Sequence, residues 1–333
     1  MDIKRLLNFS THTGELELFG DDWGRVADFM RKWQFDGFEL LPVGSYPFER
    51  IPPELIHGLH LRFFIFLRRI WQNDRQGLRE MFGSMSDVRR FYGGTDRQCI
   101  IEAYARQFEL AHRLGCEYTV FHPVQCELDH IYDWRFPWSW QETLDMCAEI
   151  INEALARSPY QGLLLFENLW WPGSFRLRTG AEYDYLRRRV KHERCGIVLD
   201  TGHLLNSEGG FETEAAGIDY LLKRLRDMGG LATEIKAVHL TCSLSGNYIK
   251  ESKKSGRRTG PEDGATFWQQ LSAARRHVSR IDPHEPFTDP AIGGLFDLIT
   301  PDYVVFEFTW RGLDCWQQKI SAQKKAMEKR LWT

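Results

Sequence analysis

The chain alternates between short apolar runs and longer segments whose apolar positions recur every three or four residues. Eight runs read as strands: Leu6–Thr11, Phe35–Leu41, Ile56–Arg62, Tyr118–His122, Gly162–Asn168, Gly196–Asp200, Ile235–Thr241 and Tyr303–Thr309. Helical periodicity fills the stretches between them. Asp22–Trp33 puts Trp23, Val26, Ala27, Met30 and Trp33 on one face, and Arg97–Leu114 carries Ile100, Ile101, Tyr104, Phe108 and Ala111 as a stripe. Trp140–Ala156, Ala181–Val190, Glu212–Met228, Phe267–Val278 and Cys315–Leu331 complete the helical set. Eight strands alternating with helices over 333 residues predict an α/β fold, a single (β/α)8 TIM barrel spanning 1–333. A doubly wound sheet is the alternative. No GxGxxG follows the first strand, and the strand count favours closure.

Three connections stand out, each following a strand and so expected at the catalytic face. Glu127–Trp140 holds Tyr132, Trp134, Phe136, Trp138 and Trp140; Trp170-Trp171-Pro-Gly-Ser follows the fifth strand; and a loop insertion around 243–264 is rich in Gly, Ser, Lys and Arg. Trp134, Trp138 and Trp170 are candidates for an apolar wall around a substrate, or else they fill the barrel rim. The basic insertion reads either as a lid that meets an anionic group or as a solvated loop.

Composition changes the picture little. The 43% hydrophobic and 27% charged content is that of a globular protein, and a formal net charge of −3 gives no global attraction to nucleic acid or to an anionic membrane. The first ten residues lack the apolar core of a secretory signal, and no run is long and apolar enough to span a bilayer. Seven scattered cysteines without a CxxC pair suit reduced thiols and a cytoplasmic location.

The strand ends hold the chemistry. The sixth candidate strand runs through apolar residues to Asp200-Thr-Gly-His203, where Gly202 permits a sharp turn that would aim carboxylate and imidazole at one point. A plain turn beside a core histidine is the alternative for that stretch alone. The event recurs, however. Glu39 ends the second strand, His60 and Arg62 the third, His122 the fourth, Glu167 and Asn168 the fifth, His239 the seventh and Glu307 the eighth. Each ionisable group interrupts an apolar run, where an unpaired charge is costly to bury. A shared divalent cation offsets both the charge and its desolvation.

With these residues in place, the chain resembles the xylose-isomerase-like (β/α)8 barrels, the superfamily of class II apurinic (AP) endonucleases and of sugar isomerases and epimerases. The resemblance covers nearly the whole chain and rests on Glu167, Asp200-x-x-His203, His239 and Glu307. It implies that Glu167, Asp200, His239 and Glu307 bind one divalent metal, and that His203 joins a metal or contacts substrate. Asp282-Pro-His284, followed by Ile292-Gly293, is similar to the Asp-x-His motif of the phosphodiesterase branch, in which that pair binds an additional metal. His60 and His122 match that branch's remaining histidine ligands. Members of the branch hold a zinc cluster, so the implied cofactor is a divalent metal, Zn or Mn, in one to three ions.

The function expected is metal-dependent hydrolysis of a phosphodiester, with Glu167, Glu307 and His203 carrying the chemistry. Arg62 and Arg311 are candidate phosphate clamps, or surface arginines. Glu39 would orient substrate or hold a ligand histidine. DNA is an unexpected substrate for a slightly acidic chain with aromatic loops. Leu59-His-Leu-Arg-Phe-Phe64 and Asp200-Thr-Gly-His-Leu-Leu-Asn206 are similar to segments of the cobamide-remodelling phosphodiesterases, which open the nucleotide loop of a corrinoid. A sugar or polyol isomerase or epimerase is the main alternative, with Glu167 and Glu307 exchanging a proton beside a carbonyl. An AP endonuclease and a non-catalytic binding barrel are further alternatives.

Overall fold

The computed structural model describes residues 3–128, 130–254 and 264–332. Eight parallel strands close into a barrel in chain order: β1 Lys4–Ser10, β2 Gly37–Leu41, β3 Ile56–His60, β4 Tyr118–Phe121, β5 Leu163–Glu167, β6 Cys195–Asp200, β7 Ile235–His239 and β8 Tyr303–Phe306. Closure pairs Leu6 with Val305 and leaves no open sheet edge. The main helical connections are Trp23–Trp33, Arg97–Arg113, Trp140–Leu155, Gly180–Arg187, Glu214–Met228, Phe267–Ile281 and Leu313–Leu331. Among the described residues no helix is long and apolar enough to cross a membrane.

The pleat determines what fills the barrel. Leu6, Val120, Leu165, Val198, Ala237 and Val305 form an inward layer, with Tyr118 and Tyr303 packed in the same cluster one inward position below. Successive inward positions are two residues apart. The next position towards the strands' carboxyl ends is therefore Asn8, His122, Glu167, Asp200, His239 and Glu307 in turn, with Glu39 in register with Asn8. A dry layer thus lies directly beneath a polar one. The outward-facing residues, Phe9, Phe38, Phe121, Phe166 and Val304 among them, pack with the helices in the larger core.

Several connections differ from expectation. Arg68–Trp71, Arg75–Phe82 and Met85–Tyr92 form short helices between β3 and β4, and the aromatic Glu127–Trp140 stretch contains a helical turn, His130–Asp133. The 243–264 insertion is not all loop: Gly246–Lys254 is a helix. Residues 255–263 of that insertion lie outside the described residues. Gly202 is not a turn glycine. It sits in the helix Thr201–Ser207, where a Cβ would lie 2.5 Å from Thr241 Oγ1, so its role is close approach to the segment that follows β7.

Candidate metal centre

All the candidate ligands except Asp282 and His284 are delivered by a strand end or by the first turn after it. Asp200 ends β6 and caps the following helix: its Oδ1 accepts from His203 N at 2.7 Å. That bond leaves Oδ2 to the barrel mouth and places His203 one turn on. Asn168 fixes the same corner, donating to Asp200 O at 3.0 Å and accepting from Asp200 N at 2.9 Å.

Asp282 and His284 arrive from far along the chain. A Thr266–Gln269 capping box starts the helix Phe267–Ile281, which delivers Asp282 at its end. Main-chain bonds between Cys242 and Glu285, at 2.7 and 3.2 Å, then tie this segment to the exit of β7. His284 is held at φ +49°, a left-handed conformation that costs a non-glycine residue on the order of 1 kcal/mol. That strain is met by its anchors, Asp282 Oδ2 at 2.7 Å and the Glu307 carbonyl at 3.2 Å.

These side chains fall into three groups able to hold a cation: His60, His122 and Glu167; Glu167, Asp200 and His239; and His203, Asp282 and His284. Glu167 belongs to two of them. Its Oε2 lies 2.8 Å from His122, and 3.4 Å from both His60 and His239, while its Oε1 lies 3.0 Å from His203. Glu307 Oε2 is 3.0 Å from His239 Nδ1. His203 Nε2 is 3.1 Å from Asp282 Oδ2, which joins the third group to the rest.

The electrostatics are those of a site short of positive charge. Burial pushes Glu167 up, but His122, His239 and His203 outweigh it and hold its carboxyl well below the usual range. Burial likewise opposes, and His239 and His284 overcome it, to bring Glu307 down to about 2. Asp200 goes the other way: burial, with Glu167 and Asp282 adding to it, raises it to about 7. Burial alone would lower the imidazoles of His203, His239 and His284, but their carboxylates raise all three, His284 to about 10. At the His122 imidazole burial prevails and holds it below its ordinary value.

Two buried atoms show that protein groups do not complete the centre. Asp200 Oδ2 and His239 Nδ1, both in the central group, have no hydrogen-bond partner. Glu307 Oε2 is close to Nδ1 but not in hydrogen-bonding geometry. A buried carboxylate oxygen without a hydrogen bond is costly, and a divalent cation held by these residues would satisfy both atoms. The donor set, nitrogen and carboxylate oxygen, suits a first-row divalent metal.

The model of the xylose isomerase-like TIM barrel matches residues 74–287. The chain belongs to that family. Endonuclease IV from Thermus thermophilus is similar in structure, at 15% identity over 98% of this chain and 99% of its own, with a TM-score of 0.54. An L-ribulose 3-epimerase aligns at 14% identity over 99% of this chain and 93% of its own, with a TM-score of 0.51. A 3-keto-D-glucoside 4-epimerase from E. coli aligns at 14% over 98% and 99%, with a TM-score of 0.50. At such identities the likeness shows the fold. No curated protein matches the chain.

In this family member the remaining candidates are less uniformly placed. Trp170 is buried with its ring 4.8 Å from that of His203. Trp134 instead packs on Trp171, and Trp138 is buried against Phe136 and His130. Arg62 is exposed, with its guanidinium over the Phe64 ring, and Arg311 is exposed beyond β8. No described contact brings either arginine to the three groups. Glu39 is fully buried and lies against His239, with its Oε2 3.2 Å from Nε2.

Three contributors escaped the sequence reading. Phe63 is 42% exposed, yet its ring centroid lies 4.2 Å from that of His122. Ser243 donates to Asp282 Oδ1 at 2.6 Å. Asn8 completes the polar layer on β1 and leaves Nδ2 buried without a partner. The signal for Asn8 was available, since it is a polar residue inside Leu-Leu-Asn-Phe.

Proposed function

We propose that this chain is a metal-dependent hydrolase of a phosphodiester in a small-molecule substrate with a bulky, partly apolar body. The observation that carries the reading is Glu167, one carboxylate common to two ligand groups beside a third. Sharing of that kind suits clustered ions. Divalent ions bound there supply a nucleophile from water near neutral pH and neutralise phosphoryl charge.

The protein groups have distinct duties in this reading. Glu167, Asp200, His239 and Glu307 hold the central ion; His60 and His122 hold a second with Glu167; His203, Asp282 and His284 hold a third. Trp170 shields the His203 side from water. The exposed large apolar residues among those described, Val43, Phe63 and Leu244, follow β2, β3 and β7 respectively and so rim the mouth. An apolar rim favours a substrate with flat or greasy bulk over a DNA backbone, which calls for several cationic contacts. The nucleotide loop of a corrinoid meets this description and agrees with the two segments similar to cobamide-remodelling enzymes.

The second reading, a sugar or polyol isomerase or epimerase, draws on the central group alone. It leaves His60, His122, Asp282 and His284 with no metal duty. A panel of corrinoids, simple phosphodiesters, abasic DNA, ketoses and polyols separates the readings. Opening of the corrinoid nucleotide loop, lost on chelation and restored by Zn or Mn, is the expected result. Epimerisation of a ketose without cleavage of any phosphodiester would replace the first reading by the second.

A further inference from the structure

The histidines at the barrel mouth do not all present the same nitrogen to the cluster. His60, His203 and His284 place Nδ1 on main-chain carbonyls, those of Leu61 at 3.2 Å, Asn168 at 2.9 Å and Glu307 at 3.2 Å. A carbonyl only accepts, so Nδ1 carries the proton in each. The nitrogen left for an ion is Nε2, which faces Glu167 from His60 and Asp282 from His203 and His284.

His239 is reversed. Its Nε2 lies 3.2 Å from Glu39 Oε2. Its Nδ1 faces Glu307, Glu167 and Asp200 at 3.0, 3.4 and 3.9 Å. The same Glu39 oxygen accepts from the Tyr118 hydroxyl at 2.9 Å, while Oε1 has no partner. Tyr118 reaches Glu39 because β3 carries Gly58 opposite it; a Cβ there would lie 2.2 Å from the phenol ring. Burial and the Glu39 charge raise the Tyr118 phenol well above its ordinary value, so it remains a donor.

We infer that Glu39 is a positioning residue that accepts a hydrogen bond from Nε2–H of His239, holding the proton on that nitrogen and leaving Nδ1 as the metal-binding atom, with Tyr118 holding Glu39 in place. The inference rests on the proposed metal centre. It assigns Glu39 the outer place in a carboxylate–histidine–metal arrangement, where such a partner sets the ring tautomer and raises ligand basicity. It also explains why the polar layer extends to β2, a strand that supplies no member of the three groups. Because Glu39 touches the central group alone, its loss should weaken one ion and spare the others.

The test loads the full chain with Co2+ and titrates it with a chelator, following ion release and the visible absorption of the bound cobalt. Glu39→Gln should release one class of ion at about 10- to 100-fold lower chelator concentration. The other ions should be unmoved. Tyr118→Phe should produce the same selective shift to a smaller degree, and it carries the test if Glu39→Gln fails to fold. Folded variants that release every ion at the wild-type chelator concentration would overturn the inference, as would equal weakening of all ions. Wild-type protein that binds no cobalt would instead remove the metal centre on which the inference rests.

Discussion

The two ends of the barrel both gather charged and polar side chains, and they treat them in opposite ways. At the amino-terminal end Glu117 is surrounded by donors: Lys4 at 2.5 Å, Tyr303 at 2.6 Å and His57 at 2.8 Å. None of these four side chains has a buried atom without a partner. At the carboxyl end, Glu167, Asp200, Asp282 and Glu307 crowd together, and Asp200 Oδ2 and His239 Nδ1 make no hydrogen bond. Glu117 is brought down to about 2 by its three donors against the effect of burial, whereas Asp200 is driven up to about 7 by burial and like charge. One network is finished by protein groups and stabilises the barrel. The other is left incomplete by protein groups and offers a cation a place at the mouth, the division of labour expected of this fold.

The strongest blow to that contrast is Glu167→Gln. It removes the carboxylate that two groups share. Turnover should fall by more than the roughly 100-fold that loss of an outer partner costs, and bound metal should fall with it. Retained metal at wild-type stoichiometry would break the comparison.

The pH dependence sharpens it. Without a bound ion, His203, His239 and His284 hold protons more tightly in the folded chain than their ordinary value of 6.5 allows. Their pairing therefore stabilises the ion-free protein fully below 6.5, and for His284 is lost as pH climbs through about 10. Metal binding runs the other way because ions displace those protons. The gap in Tm between loaded and chelated protein should widen from about pH 6 to pH 8, measured by calorimetry at both.

Phe63→Ala asks whether the apolar rim serves the substrate. Truncation of an exposed aromatic should leave Tm nearly unchanged. It should raise KM by roughly 10-fold or more if the ring is covered by substrate. An unchanged KM would detach the rim from function.

The smallest effect is expected at the opposite end. Glu117→Gln should cost about 1 kcal/mol or less at neutral pH, because the group is partly exposed and screened. As a carboxylate with a lowered value, it contributes above its ordinary 4.5 and loses that contribution as pH falls towards about 2. Urea unfolding of wild type and variant should therefore converge in acid, with metal content equal throughout.

Much of this was legible in the sequence, for a physical reason. A barrel strand buried on both faces is an apolar run, and an ionisable residue at its end stands out against it. All eight strands lie where the pattern places them, but the runs overshoot: Thr309 was read as strand, whereas β8 ends at Phe306. Glu307, two residues beyond the inward Val305, still faces the mouth. The helix Thr201–Ser207 escaped because every residue in it is buried, which erases the polar face that marks an amphipathic helix. Arg75–Phe82 and Met85–Tyr92 escaped because eight residues span barely two turns. The three-group clustering of the ligands depends on which side chains the barrel's closure brings together, and no local pattern records that.

The most direct test is the metal content of the purified chain by elemental mass spectrometry, beside His122→Ala and His284→Ala. These variants reach the first and third groups and leave the central one intact. The account predicts one ion per group in the wild type, with one lost in each single variant and two in the double. A single ion that persists through both substitutions would contradict the cluster and leave only the central Glu167–Asp200–His239 group as a metal site.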